Sequence, residues 1–219
     1  MNYMGLFSIT TTLALLSGSC AQTTTQQVNT MNETIIPAGL KTDTATFATG
    51  CFWCTEAIFQ ELKGVLKATS GYSGGQVANP SYEEVCTGTT GHAECLQVIY
   101  DPKVITYDEL LEVFWEAHDP TSLNRQGNDV GTQYRSAIFY HDAEQKEKAE
   151  HYKAELNKSG AYNKPIVTEI TPFTKFYPAE NYHQDYYNLH GSQPYCSFVI
   201  RPKVEKFEKV FKDKLKQKQ

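Results

Sequence analysis

The order of secondary-structure signals predicts an α+β protein, a ferredoxin-like two-layer sandwich in which helices pack on a mixed β-sheet. Three observations carry this reading. From residue 45 the signals run β-α-β-β-α-β, then add a helix and a strand. Hydrophobic residues make up 40% and charged residues 21%, near globular values, which argues against wholesale disorder and a coiled coil. Residues 44–219 are ample for a single core, and no internal repeat divides them.

Residues 45–49 alternate like a strand, and Gly50 breaks them. Residues 52–63 read as a helix, with Phe52, Ile58, Phe59 and Leu62 as buried positions and Gly64 as the C-terminal stop. Residues 65–69 form a strand. Residues 71–91 carry Gly-Gly, Asn-Pro and several Thr, the marks of a long loop, and long loops are usually functional. A strand over 96–100 follows. The helix over 106–118 starts on a capping box of Thr106 and Glu109. Residues 119–131 are a polar loop, 134–140 a strand, 143–157 a highly charged surface helix and 166–171 a strand. Over 204–219, Val204, Phe207, Phe211 and Leu215 share one helical face. From Lys203 onward, seven Lys against three acids make this end basic. Such a helix can bind membranes, but its narrow apolar stripe favours docking on the body.

Residues 1–20 hold an apolar run too short to span a bilayer, followed by small residues, as in a secretory signal. Cys20 after Leu-Leu-Ser-Gly-Ser fits a lipoprotein box loosely, since Ser17 stands where such a box usually has Leu. Cleavage after Ala21 is the competing reading. Both predict export, to the periplasm or to the membrane through a lipid on Cys20; a chain without a functional signal is cytoplasmic. Residues 21–43, rich in Thr, Gln and Asn, form a flexible linker, and the catalytic domain spans 44–219.

The net charge of −5 argues against a nucleic-acid partner. Six cysteines are too few for a disulfide scaffold but enough for thiol chemistry. The sharpest segment is Gly50-Cys51-Phe52-Trp53-Cys54-Thr55-Glu56. Cys51 falls where a strand gives way to a helix, and the unpaired amides and dipole there favour a thiolate, the nucleophilic form. Phe52 and Trp53 offer aromatic surface suited to a methyl-sulfur group. Cys54 lies one turn on, within disulfide reach. Cys86 and Cys95 lack the pair spacing of a zinc site and read as buried and inert, so no metal is expected.

That segment resembles the signature of A-type peptide-methionine sulfoxide reductases. Further stretches agree in order: Gly71-Tyr72-Ser73-Gly74-Gly75, Asn79-Pro80-Ser81-Tyr82-Glu83-Glu84-Val85-Cys86, Thr90-Gly91-His92-Ala93-Glu94, His118-Asp119-Pro120, the run from Gln126 to Ser136, and Tyr182-His183-Gln184-Asp185-Tyr186. The resemblance implies thiol-dependent reduction of methionine S-sulfoxide in proteins, peptides and free methionine, a repair of oxidative damage. It implies that Cys51 attacks the sulfoxide sulfur and that Glu94 is the acid that protonates its oxygen. Glu94 can do so only if its site raises its pKa. Tyr82 and Tyr134 would donate to the oxygen, and Asp129 would orient the substrate. Phe52, Trp53 and Tyr134 would enclose the methyl group. His183 and Arg135 would brace the site.

The first product would be methionine plus a sulfenic acid on Cys51. A second thiol then closes a disulfide, which a thioredoxin-like dithiol reduces. No cofactor is needed, and a monomer is the expected state. Many family members have Gly at the position of Cys54 and resolve through a C-terminal Cys. Here Cys54 and Cys196 both qualify. Cys54 is favoured for its proximity, with a relay through Cys196 open. Two other readings remain: a general dithiol-disulfide oxidoreductase using Cys51 and Cys54, and a peptide-binding module with structural disulfides. Export adds a demand, since an oxidising compartment must be supplied with reducing equivalents.

Overall fold

The computed structural model describes Met1 and residues 36–217. Expectations for residues 2–35, including the signal segment and Cys20, lie outside the described residues. Six strands form one mixed sheet in the order β7-β6-β1-β3-β2-β8. They are β1 (Asp43–Thr49), β2 (Val65–Ser73), β3 (Ala93–Tyr100), β6 (Ser136–Tyr140), β7 (Glu169–Pro172) and β8 (Phe176–Pro178). Only β6 and β7 pair in parallel; the other neighbours are antiparallel. A small hairpin, β4 (Arg125–Gln126) with β5 (Asp129–Val130), stands apart from the sheet. The helices are α1 (Phe52–Phe59), α2 (Tyr82–Cys86), α3 (Tyr107–Ala117), α4 (Ala143–Ser159), α5 (Tyr186–His190) and α6 (Arg201–Val210).

Strand alternation divides the core between two faces. Ala45 and Phe47 of β1, Leu96 and Val98 of β3 and Ile138 of β6 face the main cluster, which holds Ile58 and Phe59 of α1 and Leu110 and Phe114 of α3. Ala48, Ala93, Cys95, Ala137 and Phe139 form a smaller cluster on the opposite face. Helix α1 is buried almost all round, as a central helix must be. Helix α3 begins on the expected capping box: Thr106 Oγ1 accepts from Glu109 N at 3.2 Å, and Thr106 N donates to Glu109 Oε2 at 2.9 Å.

Several boundaries differ from the sequence reading. The stretch 71–91 is not all loop. Strand β2 runs on to Ser73 because Gly71, Tyr72 and Ser73 pair with β3 and β8. Helix α2 follows on a second capping box, between Ser81 and Glu84. β3 begins earlier than expected, at Ala93, and β6 later, at Ser136, because Thr132–Tyr134 make a 3₁₀ turn. The strand read at 166–171 is β7, Glu169–Pro172.

Two helices stop short for one reason. Helix α1 was expected to reach residue 63 and the C-terminal helix to run over 204–219. Instead Leu62 and Leu215 form an antiparallel bridge, Lys63 N donates to Lys214 O, and Lys216 N donates to Glu61 O, both at 2.8 Å. This pairing draws backbone at residues 61–63 and 214–216 out of both helices. The basic C-terminus docks as expected, with Val204, Phe207 and Phe211 buried. Lys206 and Lys214 reach Glu116 and Glu109 of α3, each at 2.7 Å.

Candidate active site

Cys51 sits between β1 and α1, as the N-cap of the helix. Its position depends on Gly50, whose φ of +94° favours glycine. A Cβ there would also lie 2.6 Å from Gln126 Cβ. Gln126 cannot yield easily, because its amide is fixed by the backbone N–H and carbonyl of Asp119 at 3.2 and 3.1 Å. The β4–β5 hairpin is thereby held against the Cys51 turn.

Glu94, the second residue of β3, projects to the helix side of the sheet, beneath that turn. It is 1% exposed, and its Oε2 accepts from Phe52 N at 3.1 Å. Burial pushes its carboxyl well above the usual carboxylate range, and the charge on Cys51 adds to this; the Phe52 N–H opposes it. The shift favours the protonated carboxyl, the form that the acid role requires. Burial also raises the Tyr82 and Tyr134 phenols, which stay protonated donors.

A cavity of about 210 Å³ is lined by Cys51, Phe52, Trp53 and Tyr82, together with Glu94, Asp129, Tyr134 and Tyr195. Every residue expected to attack, protonate or enclose the substrate thus meets in one space. Trp53 is clamped in it. It stacks on Tyr186 at 3.8 Å and 7°, meets Tyr195 edge-on, and donates from Nε1 to His183 Nδ1 at 3.2 Å. Burial lowers the His183 pKa, so the ring is a neutral acceptor. Arg135 ties the Tyr134 turn to the approach to β3, donating to Thr132 O and Gly91 O, both at 3.0 Å. Both residues brace the site, as expected.

The thiols depart from expectation. Helix-start amides were expected to favour a Cys51 thiolate, but Cys51 is 5% exposed, and burial raises its pKa well above the usual value. Cys54 shifts the other way. The adjoining Cys51 side chain is the largest cause of a lowered pKa, and the Lys203 ammonium adds to it against the effect of burial. Burial thus opposes charge on Cys51, while Lys203 favours it on Cys54. Cys196 is fully buried in a π-helical turn, Cys196–Ile200, and is raised by burial and by the charge of Cys51. Neither Cys54 nor Cys196 lines the cavity. Cys95 is buried as expected, but Cys86 is exposed, because it ends the short surface helix α2. All five described cysteines are free thiols.

Tyr195 escaped the sequence reading. Its hydroxyl donates to Asp129 Oδ2 at 2.7 Å, and it lines the cavity together with Cys51. The available signal was its place directly before Cys196.

An α+β fold in which a buried cysteine, a second cysteine one turn behind it, a buried carboxyl group and phenolic donors gather at one cavity is that of a thiol-dependent oxidoreductase. Residues 43–215 match the family model for peptide methionine sulfoxide reductase. The peptide methionine sulfoxide reductase MsrA of Saccharolobus solfataricus is 56% identical over 174 residues, covering 80% of this chain and 97% of that relative. Mxr1 of Saccharomyces cerevisiae in its reduced form has 38% identity and a TM-score of 0.68, covering 75% of this chain and 94% of that one. Mxr1 in complex with Trx2 has 30% identity and a TM-score of 0.50, covering 70% and 91%. The chain belongs to the peptide methionine sulfoxide reductase family.

Proposed function

We propose that the chain reduces methionine S-sulfoxide in proteins, peptides and free methionine, with Cys51 as nucleophile and Glu94 as acid. One observation carries this: Cys51, the buried Glu94 and the Tyr82 and Tyr134 phenols line the same aromatic-walled cavity. Cys51 Sγ attacks the sulfoxide sulfur and its proton passes to the adjoining Cys54 thiolate. Glu94 gives its proton to the oxygen, and Tyr82 and Tyr134 donate to it as charge develops. Asp129, held by Tyr195, orients the substrate amide, and Phe52 and Trp53 enclose the methyl group. The sulfur–oxygen bond of the substrate breaks, methionine leaves, and Cys51 carries the oxygen as a sulfenic acid.

Cys54 is the resolving thiol in this reading, because it lies one helical turn from Cys51, with its backbone N–H donating to Cys51 O at 3.1 Å, while Cys196 is fully buried in a separate π-helical turn. The resulting disulfide needs a dithiol of the thioredoxin class, a reading supported by the Mxr1–Trx2 complex. A general disulfide oxidoreductase fits less well. Cys51 and Cys54 are 5% and 4% exposed, too enclosed for an arbitrary protein disulfide. The test is turnover of each sulfoxide epimer with thioredoxin. Activity on the S epimer alone, lost in Cys51→Ser, supports the reading; full activity in Cys51→Ser overturns it.

Three further readings belong to the same proposal. The ferredoxin-like description is supported by the antiparallel central order β6-β1-β3-β2. Export through residues 1–20, with Cys20 as the lipid-bearing residue, is tested by membrane fractionation of the native chain and a Cys20→Ala variant. A monomer is tested by sedimentation.

A further inference from the structure

Lys203, in the first turn of α6, has one hydrogen-bond partner among the described residues, and it is a sulfur. Its Nζ lies 3.7 Å from Cys54 Sγ. Other lysines of this basic end behave differently: Lys206 and Lys214 pair with carboxylates, and Lys216 donates to a backbone carbonyl. Lys203 is half-buried and forms no salt bridge among the described residues. An ammonium withdrawn from water without a carboxylate has strong reason to hold a negative partner. A neutral thiol accepts hydrogen bonds weakly, whereas a thiolate answers the charge.

The groups around this pair are few. Cys54 is faced by Cys51 and Tyr195, by Lys203 from α6, whose ammonium contacts its sulfur, and by Asp129 from the β4–β5 hairpin, whose charge opposes a thiolate. On its other side Lys203 borders a cavity of about 340 Å³ shared with His118, Glu116, Asp119 and Lys206. His118 is half-buried and pushed down to about 4 by burial, so it is neutral near pH 7 and adds no charge beside Lys203.

We propose that Lys203 is a positioning residue for the second half of the reaction: its ammonium holds the Cys54 sulfur in place to attack the oxidised Cys51. This rests on the reading of Cys51 as nucleophile and Cys54 as resolving thiol. In the step itself a bond forms between Cys54 Sγ and Cys51 Sγ, and the sulfur–oxygen bond of the Cys51 sulfenic acid breaks. The hydroxide leaves as water with the proton that Cys54 took from Cys51 in the first half. Cys54 is oxidised from thiol to disulfide and the sulfenic sulfur is reduced to it, so electrons balance without a further reagent. The ammonium disperses the charge on Cys54 as that proton departs.

The experiment is a single turnover of S-sulfoxide peptide by the full chain, following methionine release and disulfide formation separately across pH. In Lys203→Gln, one equivalent of methionine is still released, while disulfide formation near pH 7 slows about tenfold and its pH profile moves about one unit alkaline. Lys203→Arg retains the wild-type profile. Ultraviolet thiolate absorbance of Cys51→Ser, titrated with and without Lys203→Gln, reads the same displacement without turnover. Unchanged disulfide formation and titration in Lys203→Gln overturn the proposal, as does a wild-type disulfide that joins Cys51 to Cys196. If Lys203→Gln does not fold, the titration of Cys51→Ser alone decides, since no thiolate near neutral pH overturns the proposal. Absence of methionine release from the wild type is a different outcome, which overturns the reductase reading itself.

Discussion

The backbone N–H of Phe52 donates to Glu94 Oε2 at 3.1 Å. The first helical amide after Cys51 thus holds the acid directly beneath the thiol. This one contact couples the start of α1 to the start of β3, and the site needs both. Because Glu94 is buried beside Cys51, the two groups disfavour carrying negative charge together.

Glu94→Gln keeps an acceptor for the Phe52 amide but has no proton to give. Methionine release in a single turnover falls by about 10²- to 10⁴-fold, while circular dichroism and thermal unfolding stay close to wild type. A wild-type rate in Glu94→Gln would show that another acid serves.

Glu56 predicts a pH-dependent stability. It is 3% exposed and accepts from Asp185 N at 2.9 Å, and burial raises its carboxyl to about 7. The native state therefore binds this proton more tightly than the unfolded state. Stability from this source is full at pH values below the ordinary carboxyl range, declines as pH rises toward 7, and then levels. The total is roughly 3 kcal/mol. Glu56→Gln keeps the acceptor and flattens the decline, so the variant gains on wild type between pH 5 and 8. Denaturant unfolding across that range measures it; parallel curves contradict it.

Gly50→Ala meets both a left-handed backbone and Gln126 Cβ at 2.6 Å. The cost is about 1–3 kcal/mol from the backbone alone. The pinned Gln126 passes the displacement to the hairpin carrying Asp129. Unfolding should shift together with a raised KM for sulfoxide; a change in stability with unaltered KM would separate the hairpin from substrate binding.

Tyr186→Ala removes the ring stacked 3.8 Å from Trp53. About 0.5–1.5 kcal/mol of pair energy is lost, and Trp53 gains freedom. The expected result is altered tryptophan fluorescence and a weaker KM, with the rate of the chemical step nearly preserved. A selective loss of kcat would place Tyr186 in the chemistry instead.

The site was largely legible because its residues cluster in a few short runs. Gly50 to Glu56 and Glu94 carried the chemistry, and residues 45–49 with 96–100 carried the two central strands. What escaped depends on partners distant in sequence. The early ends of both helices follow from Leu62 meeting Leu215, which no local pattern encodes. Helix α2 was legible in principle from Ser81 and Glu84, but the surrounding Gly, Pro and Thr signals outweighed it. The thiolate preference of Cys51 failed because a helix start favours charge only where burial does not outweigh it. Tyr195 gains its role from Asp129, 66 positions away.

The most direct test of the central claim is mass analysis of the Cys54→Ser, Cys196→Ser double variant after one equivalent of methionine S-sulfoxide peptide. One equivalent of methionine, with one oxygen atom added at Cys51, is the predicted result. Methionine formed while Cys51 remains unmodified and no other residue gains the oxygen through it would contradict the account.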